Sequence, residues 1–380
     1  MDVKRDGIFK EMEGILASPQ NHLLEKAVKA GRIPIGYTCS FVPEALLMAD
    51  ALVPVRVRAP GTAGTEIADN YLSNFICSYT RSLLESVVAD RYDLIRGWVF
   101  VPSCAHMQRL IDNVHYLKKL EFSHVLDVPH KSTAMHVEWL TEEYAVLADK
   151  LSSHFGVDLS DEALAKAVGG WNEFVEVMKS IGELRKRPES PITGTEFHLL
   201  LMAAQVSPKD MILPYLLEAK EKLEERGGSG RKVRARLMLI GGELDDPEYI
   251  RVIESQNAVV VADRTCTGSI PGLTPIELNG GPLIKTLAEH SFKKTLCPRM
   301  MEDFDRRLQI ILDTVREYRV DGVVIEVIKF CDLWGVDMVP MVKAIRSEGI
   351  PVLKLEREYR LSGEGQIRTR VQAFIESMGK

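Results

Sequence analysis

Short apolar runs alternate with amphipathic stretches along the chain, a pattern that predicts parallel strands buried under helices on both faces. A first set of runs spans residues 33–37, 53–57, 97–101 and 124–128. A second spans 236–242, 258–261, 322–328 and 351–355. Helical spacing is expected over residues 1–30, where Leu23, Leu24, Ala27 and Val28 share a face that stops at Gly31. It recurs over 43–49, a segment opened by Pro43, and at Met107, Leu110, Ile111, Val114 and Leu117. Residues 134–187 are helical and polar-rich, 215–226 form a charged helix, and shorter helices are expected at 249–254 and 339–346. The run Gly227-Gly228-Ser229-Gly230 predicts a loop ahead of the second set.

The two sets rhyme. In each, a strand ends in a cysteine and leads through a helix to another strand, over 101–128 and again over 323–355. The expected fold is α/β, with pseudo-duplicated parallel sheets, a helical insertion and an N-terminal helix, divided into domains at 1–195 and 196–380. Open parallel sheets place ligands beyond the carboxyl ends of their strands, and Cys39, Cys104 and Cys331 fall at such ends.

A chain of 380 residues has room for two domains, each with its own core. Its 46% hydrophobic and 27% charged content excludes a disordered, collagen-like or disulfide-scaffold chain. With 48 basic against 54 acidic residues and a net charge of -6, it offers little attraction to a nucleic-acid backbone. No apolar stretch approaches the ~18 residues of a membrane span, and the opening MDVKRDGIFKEMEG lacks the apolar core of a secretory signal. A cytoplasmic location is therefore expected, where thiols stay reduced.

That expectation bears on Cys39, Cys77, Cys104, Cys266, Cys297 and Cys331. Cysteine is often simply a small buried residue. Yet Cys39, Cys104, Cys266 and Cys331 each follow an apolar strand and enter a loop, where packing gives a cysteine no special reason to stand. No Cys-x-x-Cys pair occurs, so a zinc ribbon or ferredoxin loop is unsupported, and any iron-sulfur group must be assembled from distant segments. Phosphate-loop, dinucleotide and nucleophile-elbow motifs are missing, so any ATP is bound by another chain. His106 and the pair His130-Lys131 follow strand ends and are candidates to orient a substrate or move a proton, against a capping or solvated role. The pair Arg306-Arg307 is a candidate for phosphates, against a solvated face.

Several segments together carry a family resemblance over nearly the whole chain. They are Gly36-Tyr37-Thr38-Cys39-Ser40-Phe41-Val42-Pro43-Glu44, Phe100-Val101-Pro102-Ser103-Cys104-Ala105-His106-Met107, Ala262-Asp263-Arg264-Thr265-Cys266-Thr267-Gly268, Lys329-Phe330-Cys331-Asp332 and Gly365-Gln366-Ile367-Arg368-Thr369-Arg370. With them the chain resembles the superfamily of 2-hydroxyacyl-CoA dehydratases and benzoyl-CoA reductases. Ile76-Cys77-Ser78-Tyr79-Thr80-Arg81-Ser82, Gly97-Trp98-Val99-Phe100 and Asp127-Val128-Pro129-His130-Lys131 are most similar to the smaller cluster-bearing subunit of ATP-dependent benzoyl-CoA reductases.

The resemblance implies two Rossmann-like domains that hold an iron-sulfur cluster between them. It also implies a homologous sister subunit or a self-dimer, a separate ATP-hydrolysing iron-sulfur activator, and an acyl-CoA substrate reduced by single electrons of low potential. By motif, Cys39, Cys104 and Cys331 match the three ligands of the dehydratases' single 4Fe-4S cubane. Cys77, Cys266 and Cys297 exceed that need, and six thiolates suit a double-cubane 8Fe-9S cluster. His106 and His130 stand as catalytic candidates, and Lys131, Arg264 and Glu326 as substrate-binding ones. The function expected is the iron-sulfur subunit of an acyl-CoA reductase of the benzoyl-CoA type. The alternatives are a 2-hydroxyacyl-CoA dehydratase subunit and a homodimeric double-cubane reductase or electron carrier.

Overall fold

The computed structural model describes residues 7–228, 233–269, 273–294 and 297–379. Eight strands build two sheets among these residues. They are β1 (Ile33–Tyr37), β2 (Leu52–Arg56), β3 (Gly97–Phe100), β4 (Phe122–Val125), β5 (Ala235–Gly241), β6 (Ala258–Arg264), β7 (Gly322–Ile328) and β8 (Val352–Arg357). The first sheet has the order β2-β1-β3-β4 and the second the order β6-β5-β7-β8. Every pairing is parallel. The two halves thus share one topology, and the expected α/β architecture of two Rossmann-like units holds.

Burial explains why most of these strands read as continuous apolar runs. All residues of β1, β2, β3 and β7 are buried, as parallel strands are when helices cover both faces. The edge strand β8 alternates instead between buried and more exposed positions. Glu326 sits inside fully buried β7, opposite Gly241 of β5. A Cβ at Gly241 would lie 2.0 Å from its carboxylate, so the missing side chain makes room for the acid.

Several helices differ from their predicted extents, each for a local reason. The stretch 1–30 becomes two helices, Gly7–Leu16 and His22–Lys29, with residues 1–6 outside the described part. Asn21 starts the second helix by accepting the Leu24 amide at 3.0 Å, and Pro19 stands in the break. The helix expected at 43–49 reduces to a single 3-10 turn, Leu46–Met48, because Ala49 is extended and Asp50 is left-handed at φ 51°. The stretch 134–187 divides into Ala134–Phe155 and Asp161–Glu183, where Gly156 ends the first helix at φ 68° and the Ser160 side chain caps the second. Of the glycine-serine loop, residues 229 and 230 lie outside the described part.

The helix Gly194–Gln205 links the halves. Its first amides, on Gly194 and Thr195, donate to the Glu254 carboxylate at 2.7 and 3.2 Å, which also accepts from Val260 of β6. At its other end Gln205 donates to the Thr267 carbonyl at 3.1 Å. No helix of the described residues is long and apolar enough to cross a membrane.

Candidate thiol site

All six cysteines are free thiols, and all six line one small cavity of about 80 Å³. Strand ends and helix starts bring them there. Cys39 follows β1 by two residues and Cys266 follows β6 by two. Cys77, Cys104 and Cys331 are the N-cap residues of the helices Ser78–Val88, Ala105–Leu117 and Asp332–Ser347. Helix N-termini carry unpaired amides and partial positive charge, which favours anionic sulfur. Phe330 turns β7 into the last of these helices through a left-handed φ of 65°, rare outside glycine, and so sets Cys331 at the cap.

The thiols fall into two groups by the charges that act on them. Cys39 and Cys297 both raise the Cys266 thiol, and Cys39 raises Cys297. Cys77 raises Cys104 and Cys331, and Cys104 also raises Cys331. These mutual influences group Cys39 with Cys266 and Cys297 as one triad, and Cys77 with Cys104 and Cys331 as another. Neither triad is local in sequence, and each draws on both sheets. Cys39, Cys104 and Cys331, grouped by motif, are divided between the triads.

Burial is the main cause that pushes every one of these thiols above its ordinary value, Cys104 to about 11 and Cys297 to about 12. They are protonated at neutral pH, and binding of a metal group must displace those protons. Among the described residues no three His, Cys, Asp or Glu side chains are grouped to hold a single metal ion. The donor set is instead a ring of soft sulfur around an apolar space walled by Phe41, Met107, Ile328, Leu333 and Trp334.

Other groups at the cavity were not visible in the sequence. Arg56, at the end of β2 and 3% exposed, pairs with Glu243 at 2.6 Å and lowers the Cys39 thiol against its burial. Arg299 is 2% exposed, holds the carbonyls of Val128 and Pro129, and acts on Cys39 and Cys297. Its own amide points at the Cys297 sulfur at 3.5 Å. Tyr79 lines the cavity, and its buried hydroxyl has no hydrogen-bond partner among the described residues. Arg56 stands at a strand end, as several of the cysteines do; Tyr79 and Arg299 gave no such signal.

The candidate histidines sit behind the thiols rather than in the cavity lining. His106 accepts the Cys77 amide on Nδ1 at 3.2 Å. His130 lies 3.3 Å from the Arg299 carbonyl through Nδ1. Lys131 pairs at the surface with Glu302. Glu326 is fully buried and binds Arg357. Arg264 ends β6, two residues before Cys266, and borders a different cleft. Arg306 donates to the Lys293 carbonyl, and Arg307 pairs with Asp337.

Hydrogen bonds close the two halves around the cavity. Ser40 donates to the Cys266 carbonyl at 3.2 Å, the Tyr359 amide donates to Ser78 at 2.8 Å, and the Ala59 amide to the Tyr359 hydroxyl at 3.0 Å. The exposed rings of Phe75 and Phe330, near Cys77 and Cys331 in sequence, meet edge to face at 5.6 Å.

A family model described as "2-hydroxyglutaryl-CoA dehydratase, D-component" matches residues 39–378. The beta subunit of (R)-phenyllactyl-CoA dehydratase from Clostridium sporogenes is 24% identical over 98% of this chain and 99% of its own length. The beta subunit of (R)-2-hydroxyglutaryl-CoA dehydratase from Acidaminococcus fermentans is 21% identical over the same shares, 98% and 99%. A benzoyl-CoA reductase subunit from Thauera aromatica is 22% identical over 81% of this chain and 81% of its own length. The dehydratase subunits thus align over more of this chain than the reductase subunit does.

Proposed function

The chain belongs to the 2-hydroxyglutaryl-CoA dehydratase D-component family, whose members are enzyme components, and from that footing we propose that it is the iron-sulfur subunit of an acyl-CoA reductase. The observation that carries the reading is the convergence of six free thiols from both halves on one cavity. Two triads of thiols suit a double-cubane cluster, three ligands to each half. When bound, that group supplies single electrons at low potential. The reading includes a cytoplasmic location, an ATP-hydrolysing activator and a sister or self partner, in keeping with the relatives' names as subunits.

The chain's own residues have definable tasks. The thiolates hold the cluster, while Arg56, Arg299 and three helix N-termini offset its negative charge. The apolar wall keeps water away, which strengthens every electrostatic contact inside. The unpartnered hydroxyl of Tyr79, a residue that lines this space, is a donor available to a sulfide or to a substrate carbonyl. His106 and His130 act as positioning residues, the first for Cys77 and the second for the Arg299 segment.

The second reading is a 2-hydroxyacyl-CoA dehydratase subunit, which the fuller alignment to dehydratase beta subunits favours. Anaerobic turnover with activator and partner separates the two. Reduction of benzoyl-CoA to a cyclic diene is expected. Loss of water from an (R)-2-hydroxyacyl-CoA with no diene formed would replace the reductase by the dehydratase.

A further inference from the structure

A second cleft, of about 420 Å³, opens where β6 ends, between the helices Asp161–Glu183, Leu283–Lys294 and Phe304–Glu317. Cations outnumber carboxylates along its walls. Its acids are already engaged: Asp263 binds Arg185 at 3.2 Å, while Glu183 and Glu317 both bind Lys186, at 3.1 and 2.6 Å. Lys293 reaches Glu277 at 3.9 Å, and that glutamate is 84% exposed. The side chains of Arg264 and Lys179 make no hydrogen bond or ion pair among the described residues, although both residues line the cleft.

Arg264 is the telling member. Its Nη2 is shut off from solvent without an acceptor, an arrangement that costs free energy unless a ligand supplies the missing oxygens. A planar guanidinium flanked by lysines matches phosphate oxygens, which it can bind through two parallel bonds. The volume is that of a small-ligand pocket.

We propose that this cleft takes the phosphate groups of the coenzyme A half of a thioester, with Arg264 gripping them and Lys179 and Lys293 at the rim. The inference rests on the reading of the chain as an acyl-CoA enzyme subunit. Arg264 and Cys266 stand two residues apart at one strand end, so the nucleotide end and the thiol cavity are served by the same loop. Free pyrophosphate shares the chemistry and is the natural comparison.

Calorimetric titration of the full chain with coenzyme A and, separately, with inorganic pyrophosphate tests it. Arg264→Gln is expected to weaken coenzyme A binding by about tenfold or more, with partial recovery in Arg264→Lys. The double variant Lys179→Ala, Lys293→Ala changes only exposed positions, so it folds, and is expected to weaken binding and flatten its salt dependence. Coenzyme A binding that persists within about twofold in all these variants would overturn the cleft while leaving the acyl-CoA reading intact. Loss of pyrophosphate binding alone, with coenzyme A unaffected, would reassign the cleft to a free phosphate anion. A wild-type chain that binds no coenzyme A would overturn both the cleft and the reading beneath it.

Discussion

Tyr79 lines the thiol cavity and its buried hydroxyl has no hydrogen-bond partner among the described residues, so its removal separates folding from chemistry. Tyr79→Phe gives up no hydrogen bond of the metal-free chain and is expected to leave the urea midpoint unchanged or slightly higher. Turnover should fall by about tenfold to a hundredfold, since one charge-assisted bond is worth roughly 1.5–3 kcal/mol. Cys77→Ala and Cys266→Ala remove one ligand from each triad, and turnover of the reconstituted enzyme should be lost in both; full activity in Cys77→Ala would favour the dehydratase reading. The cysteines were legible in the sequence because their residue type and strand-end placement both point to metal chemistry. Tyr79 and Arg299 were not, because each is an ordinary residue whose role arises only when distant loops meet. The grouping into triads was equally hidden: sequence order groups Cys39 with Cys77 and Cys104, whereas in the folded chain the charge of Cys39 acts on Cys266 and Cys297.

Among the elements, the strands were readable and some helices were not. The strands are continuous apolar runs with clear ends, and their shift at β4, from the expected 124–128 to Phe122–Val125, is small. The helix Gly194–Gln205 escaped notice because it is buried nearly all round and has no polar face to set a helical period. Its start is held by a capping box of Thr193 and Glu196 and by a second acid, Glu254. Glu254 is 5% exposed and accepts two amides of the helix, the Thr195 hydroxyl at 2.6 Å and the Val260 amide at 2.9 Å. Glu254→Ala would orphan these donors together, and a loss of about 3 kcal/mol in a urea unfolding experiment is expected. A loss below about 0.5 kcal/mol would show that the capping box and packing hold the helix without Glu254.

For the whole molecule, buried ion pairs join the elements around the site, including Arg185–Asp263, Arg56–Glu243 and Lys209–Glu44. Burial pushes the Asp263 carboxyl up, but Arg185, His198 and the Ser269 amide hold it below the usual carboxylate range. Glu44 is likewise lowered against its burial, chiefly by Lys209 and Tyr37. Their folded values lie under the unfolded ones, so the stability they contribute is present above about pH 4 and lost as pH falls through the folded values. Asp263→Asn should therefore make the urea midpoint less sensitive to acidification from about pH 5 to pH 3, whereas Glu243 and Glu254, raised by burial, act in the opposite sense. The shared strand order of the two sheets and the gathering of six thiols between them lead to the central claim, that both halves jointly enclose one large iron-sulfur group. Iron and acid-labile sulfide analysis of the anaerobically reconstituted chain tests it most directly. About eight irons per chain are expected, and a plateau at about four would contradict the double cluster.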